Sequence, residues 1–195
     1  LQPYVTVQGS EYLDSELNAE ETASVFTGKI VYSVTLRNLV ITGGKAKCGG
    51  GIFCDTVHLL VDNCRIQENR SYNLFNRTTR PKTDYSWPYY HHPETEFNGG
   101  GGIYFSATDQ NVYFAGFTMQ SSLIENNHSH TFGGGILFGK GDYNIFIGGA
   151  FDHSNEFRGN STGYWRGAAI STTGEDILGW KVATHNHFEI EYESI

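Results

Sequence analysis

What is scarce in this sequence narrows its class before any motif does. Lys and Arg number 13 against 21 Asp and Glu, giving a net charge of -8, and the basic residues form no run. That opposes nucleic-acid binding, which needs clustered cations to neutralise phosphates. No apolar stretch approaches the ~18 residues expected of a membrane-spanning helix. Methionine occurs once, and helical periodicity is almost missing. The best helical candidate is Asp14–Ser24, where Asp14 or Ser15 would cap a turn holding Glu16, Leu17 and Ala19. The three cysteines, Cys48, Cys54 and Cys64, include no Cys-x-x-Cys pair, so no zinc pattern is read from them. Cys54 and Cys64 either form a disulfide between adjacent turns or sit as buried small residues. The chain opens at Leu1 without Met or a signal-like apolar segment, as expected of a processed protein or a piece of a longer one.

Glycine, by contrast, is abundant at 24 residues, and aromatics make up 14%. The glycines are organised. Gly49-Gly50-Gly51-Ile52, Gly100-Gly101-Gly102-Ile103 and Gly133-Gly134-Gly135-Ile136 repeat one block, and Gly167-Ala168-Ala169-Ile170 is a worn fourth copy. Each follows an apolar-x-x-Asn element: Ile66 to Asn69, Ile124 to Asn127 and Phe157 to Asn160, with Ile41 to Gly44 as a variant ending in Gly. The isoleucines closing the blocks are 51, 33 and 34 residues apart. A unit of roughly 25 to 34 residues suits a parallel β-solenoid, in which each repeat adds one turn of short strands. In Val34–Ile41, Val57–Val61 and Asn111–Phe114, alternate residues are expected to point into the core. Asn or Gly at the strand ends suits left-handed bends, and stacked Asn amides suit ladders along the axis. The blocks are not phosphate-cradling loops, since none is followed by Gly-Lys-Ser/Thr or opens a helix.

Between about Val34 and Ile170 the double motif resembles the Gly-Gly-x-Ile and Phe-x-x-Asn repeats of right-handed parallel β-helix surface proteins, such as the chlamydial polymorphic outer-membrane proteins. Gly44 in place of Asn and Gly-Ala-Ala at 167–169 depart from that pattern. The expected fold is therefore all-β, a right-handed parallel β-helix of about five coils. Residues 1–32 would be an N-terminal capping region and 33–195 the helix, with a long insertion at 72–97. The resemblance implies an extracellular or cell-surface protein of adhesive character, and no cofactor is expected.

The insertion is the sharpest candidate for function. It holds Pro81, Pro88 and Pro93, and the binding residues expected within it are Tyr85, Trp87, Tyr89, Tyr90, His91 and His92. Aromatic faces beside hydrogen-bonding groups suit sugar rings or a protein partner; covering the solenoid's own apolar surface is the other reading. A glycosidase needs two carboxylates across the scissile bond, and no Asp-Asp pair occurs. The pairs His128/His130 and His185/His187 share a strand face but bring no evident third ligand, so no metal is expected. Asn69, Asn76, Asn127 and Asn160 each begin an Asn-x-Ser/Thr sequon, and Asn76, inside the insertion, is the best glycosylation candidate. The last segment, Phe188–Glu193, alternates like a strand with charged edges that discourage pairing. The favoured function is a non-catalytic surface, adhesive or structural module. Its partners would be other subunits, itself included, stacked on the coil ends into a filament. The alternative is a carbohydrate-binding or carbohydrate-active protein using the insertion.

Overall fold

A computed structural model describes residues 4–72, 99–109, 115–141, 143–148, 154–163 and 167–172, together with the backbone of 180–182 and 186–188. Among these residues every regular element is a β-strand, and no helix occurs. The chain passes repeatedly through three parallel sheets. The first pass gives β1 (Tyr4–Gln8) and β2 (Glu16–Asn18). The second gives β3 (Phe26–Arg37), β4 (Val40–Thr42) and β5 (Lys45–Ala46), and the third β6 (Ile52–Asp62), β7 (Arg65–Gln67) and β8 (Arg70–Ser71). From the fourth pass the long strand is split, into β9 (Ile103–Ala107) and β10 (Gly116–Gln120), followed by β11 (Leu123–Glu125) and β12 (His128–Ser129). The fifth comprises β13 (Ile136–Gly141), β14 (Asn144–Ile147), β15 (Asn155–Arg158) and β16 (Ser161–Thr162). A sixth comprises β17 (Ile170–Thr172), β18 (Trp180–Val182) and β19 (Asn186–Phe188).

Like strands stack on like. The nine-stranded sheet A holds β1, β3, β6, β9, β10, β13, β14, β17 and β18. Sheet B runs β2-β4-β7-β11-β15-β19, and sheet C runs β5-β8-β12-β16. This is the solenoid-like, all-parallel class that the repeat predicts. The segment expected to form a helical turn carries β2 instead. Leu17 is in register with Ile41 there, and packing against the stack overrides weak local helical preference. The 1–32 region adds β1, β2 and the start of β3, each in parallel register with the next pass.

Register turns the sequence repeat into columns. The four isoleucines that close the glycine blocks, Ile52, Ile103, Ile136 and Ile170, are paired in order across sheet A. Ile41, Ile66, Ile124 and Phe157 form the matching column in sheet B. Ile52, Ile103, Ile136, Ile41, Ile66, Ile124 and Phe157 are wholly buried. Each such side chain contributes about 1.5–3 kcal/mol by leaving water. Phe105, Phe117 and Phe138 fill the middle, with Phe105–Phe117 and Phe117–Phe138 meeting edge to face at 5.5 and 5.1 Å.

The glycine blocks are corners where consecutive passes touch through their backbones. The N–H groups of Gly49, Gly50 and Gly51 donate to the carbonyls of Gly99, Gly100 and Gly101 at 3.0–3.2 Å. Gly49, Gly100, Gly133 and Gly167, the first residue of each block, all have positive φ. At Gly101 a Cβ would lie 2.5 Å from the His128 carbonyl and 2.6 Å from that of Gly134, so the second position excludes a side chain on steric grounds. The fourth copy keeps glycine only where φ demands it. Sheet A bends between its two halves at Ile30 and Thr56, two β-branched residues at φ 51 and 57.

Candidate functional site

The Asn positions are structural. Asn69 Oδ1 accepts from Gly44 N–H at 2.9 Å, and Asn127 Oδ1 accepts from Asn69 N–H at 3.0 Å and Asn69 Nδ2 at 3.1 Å. Asn160 Oδ1 does the same for Asn127. Each Nδ2 also donates to the carbonyl of the previous pass's inward residue, Ile41, Ile66 or Ile124. The left-handed bend falls one residue earlier than expected, at Gly43, Glu68, Asn126 and Gly159. At Gly44 a Cβ would collide with the Gly50 carbonyl oxygen, so this position excludes a side chain and contributes only its N–H to the ladder. For glycosylation the consequence is direct: Asn69 and Asn127 are completely buried, and Nδ2, where a glycan would attach, is bonded inside the stack. Asn160 is half-buried and bonded likewise. Asn76 lies outside the described residues.

Cys54 and Cys64 are free thiols, which corrects the disulfide reading. They sit in one pass, on and just beyond β6, with roughly 20 Å or more of strand between them, whereas a disulfide needs Cα atoms within about 7 Å. Cys64 Sγ instead faces the carbonyls of Leu36 and Asp62. Burial pushes the Cys54 thiol up to about 12 and the Cys64 thiol to about 11, so both are inert small core residues.

Charges on the outer faces are paired along the axis. Glu125 lies between Arg158 at 2.8 Å and Arg65 at 3.6 Å, and Asp62 takes Arg37 at 2.7 Å. Asp55, 5% exposed, accepts from Ser106 Oγ, Thr108 N–H and Thr108 Oγ1 at 2.6–3.0 Å. Burial opposes its ionisation, but the bonds from Thr108, Ser106 and Thr56 outweigh that and hold the carboxyl below its usual value. Asp55 is thus a latch for the connection after β9. Sequence reasoning did not single it out, because its partners are 51 and 53 residues away. His128 shares a 2.9 Å hydrogen bond between Nδ1 and Ser161 Oγ, and burial followed by Arg70 and His130 lowers its pKa.

The insertion's Tyr85, Trp87, Tyr89, Tyr90, His91 and His92 lie outside the described residues, as does the 111–114 strand. Of the Phe188–Glu193 segment, only the end of β19 is described, parallel to β15. Two outer-face features of sheet A remain as possible binding surfaces. Phe53 and Tyr104 stack in adjacent passes with centroids 5.4 Å apart and planes inclined by 6°. On the other half of the sheet, His58, Gly116, Thr118, Asn144 and Phe146 line an open hollow of about 150 Å³. An isolated Gly inside an apolar run, here Gly116 before Phe117, is the one sequence signal that could have marked it. Comparison with protein-family models, with characterised proteins and with solved structures finds no match to this chain.

Proposed function

We propose that the protein is a right-handed parallel β-helix of about five coils that serves as a non-catalytic surface or adhesive module, of the kind its repeats resemble. The handedness follows the general rule that parallel strands joined by a crossover in one sheet are right-handed in about 98% of cases. Six strands in sheet B delimit five turns, in keeping with the coil number. One observation carries the functional reading: among the described residues, the buried polar and charged groups are engaged in holding the stack. The Asn ladder, Asp55, and Glu125 between its arginines are satisfied within the fold, and no buried side-chain nitrogen or oxygen among the described residues lacks a partner. An acid or base catalyst needs a free group facing substrate, whereas a display scaffold needs the opposite arrangement. No helix among the described residues is long and apolar enough to cross a membrane. Further copies of the chain stacking on the coil ends are the expected partners, since a solenoid end presents unpaired strand edges.

The test combines two measurements. The immobilised protein is assayed for capture of cells and glycans, and the free protein for release of reducing ends from a polysaccharide panel. Capture without turnover is expected. Sustained turnover by pure protein would sink the reading. Light scattering across concentration tests the assembly, and a strict monomer at all concentrations removes the filament.

A further inference from the structure

Sheet C is built differently from the other two. Its strands β5, β8, β12 and β16 are two residues each. The column that faces inward is Ala46, Ser71, Ser129 and Thr162, in register across the sheet. Nothing in it matches the Ile and Phe columns of sheets A and B; Ser71 Oγ instead donates to Ser129 Oγ at 2.9 Å. The glycine blocks explain the small residues. A Cβ at Gly50, Gly101 or Gly134 would collide with the carbonyl of Arg70, His128 or Ser161, so sheet C lies with its backbone against the corners that lead into sheet A. It is held by backbone and hydroxyl hydrogen bonds, with almost no apolar side chain to bury. Few buried apolar contacts mark the parts of a fold that open at less cost than global unfolding.

The outward column of the same sheet carries cations. Lys45, Arg70, His128 and Ser161 are in register, about 4.8 Å apart from strand to strand. Lys47, Tyr72 and His130 follow two residues further along the same passes. Of the carboxylates beside this face, Glu21 is engaged by Lys45 at 2.8 Å, Glu125 is held by its two arginines, and Glu68 lies at the bend before Asn69. His128 has Arg70 on one side and Ser161 on the other, with Nδ1 hydrogen-bonded to Ser161 Oγ. Burial first, then Arg70 and His130, lower its pKa from the ordinary 6.5. Below that pH the closed sheet therefore binds fewer protons than an opened one, and opening gains as the pH falls. Like charges directly opposite on adjacent strands are destabilising in the same sense.

We infer that sheet C opens as a unit of its own, ahead of sheets A and B, and that acid favours the opened form. The step breaks the backbone bonds from Arg70 N–H to Gly44, His128 N–H to Asn69 and Ser161 N–H to Asn127, together with those of Tyr72, His130 and Gly163 two residues on. The Ile and Phe columns stay in place. Protonation of His128 and His130 adds two positive charges beside Arg70 and Lys45 in the closed sheet, and opening separates them. Such a face bares backbone donors and acceptors in response to pH without dismantling the core. The inference stands independently of the surface-module reading.

The experiment is NMR-resolved amide hydrogen exchange at pH 7 and pH 5, corrected for intrinsic rates and repeated in sub-denaturing urea. The amides of Arg70, His128 and Ser161 should be at least about tenfold less protected than those of Arg65 and Leu123 in sheet B, tenfold being what one buried apolar side chain supplies. Their urea dependence should be smaller, since local opening exposes less surface. From pH 7 to pH 5 their protection should fall by a further factor of about two to five. The double variant His128→Gln, His130→Gln should lose that pH dependence. Arg70→Gln, at an exposed position, should reduce it and serves if the double variant does not fold. The inference is overturned if the sheet C amides share the protection and urea dependence of sheet B, if the parent shows no extra loss at pH 5, or if that loss survives unchanged in these variants.

Discussion

Replacing Asn127 by Ala tests the physical basis of the stack. Asn127 is wholly buried and its amide makes four hydrogen bonds: two accepted from Asn69 N–H and Nδ2, and two donated, to the Ile66 carbonyl and Asn160 Oδ1. Truncation leaves the Asn69 N–H buried without an acceptor, at a cost of about 1–3 kcal/mol, and removes three further bonds worth about 1 kcal/mol each. The expected loss is about 4–6 kcal/mol, a large fraction of the 5–15 kcal/mol typical of a whole domain. Asn160→Ala removes the same two acceptor bonds from Asn127. Asn160 is half-buried, so water can replace its amide, and the expected loss is only about 1–2 kcal/mol. The assay is urea unfolding followed by circular dichroism and fluorescence, with the slopes compared to check that the unfolding reaction is unchanged. If Asn127→Ala cost less than about 1 kcal/mol, or no more than Asn160→Ala, burial of the ladder would not be what makes it stabilising.

Further outcomes follow from single positions. Ile30 is 54% exposed at φ 51, so Ile30→Gly relieves about 1–2 kcal/mol of left-handed strain against a smaller entropic cost and should raise the thermal midpoint by a few degrees; a lower midpoint would contradict the assigned bend. The lowered pKa of His128 means that the folded state binds fewer protons than the unfolded state below pH 6.5. Its contribution is therefore present above that value and lost as the pH falls, and His128→Gln should flatten the stability profile between about pH 7 and pH 5. Asp55, whose pKa is also lowered, adds a second loss below its ordinary value of 3.8. Cys54 and Cys64 should react with a thiol reagent only after unfolding, leaving at most Cys48 reactive in the native protein. Rapid native labelling of two or more thiols would contradict their placement.

The architecture was legible because its rules are local and repeated. The isoleucines that close the glycine blocks can be counted along the chain, and they became a column because parallel stacking converts equal offset into equal height. The end of β9 at Ala107 was not legible, nor was β2, whose three residues are specified by Ile41 across the sheet more than by their own sequence. Asn69 and Asn127 carry the sequon pattern but face inward, as the Asn ladder expected from the repeat requires. The cysteines were less legible, because Cys54 and Cys64, ten positions apart, lie at opposite ends of one pass.

The sequence by itself determined that passes of about 25 to 34 residues would stack, where their tight corners fall, and which apolar residue of each pass enters the core. Those properties depend on backbone freedom and hydrophobic period, which are written residue by residue. Only the tertiary structure decided which side chains meet across passes. Asp55 meets Thr108, and Glu125 meets Arg158 and Arg65. These contacts join residues 33 to 60 positions apart, so the register of one pass on the next creates them, and no local stretch of chain encodes them.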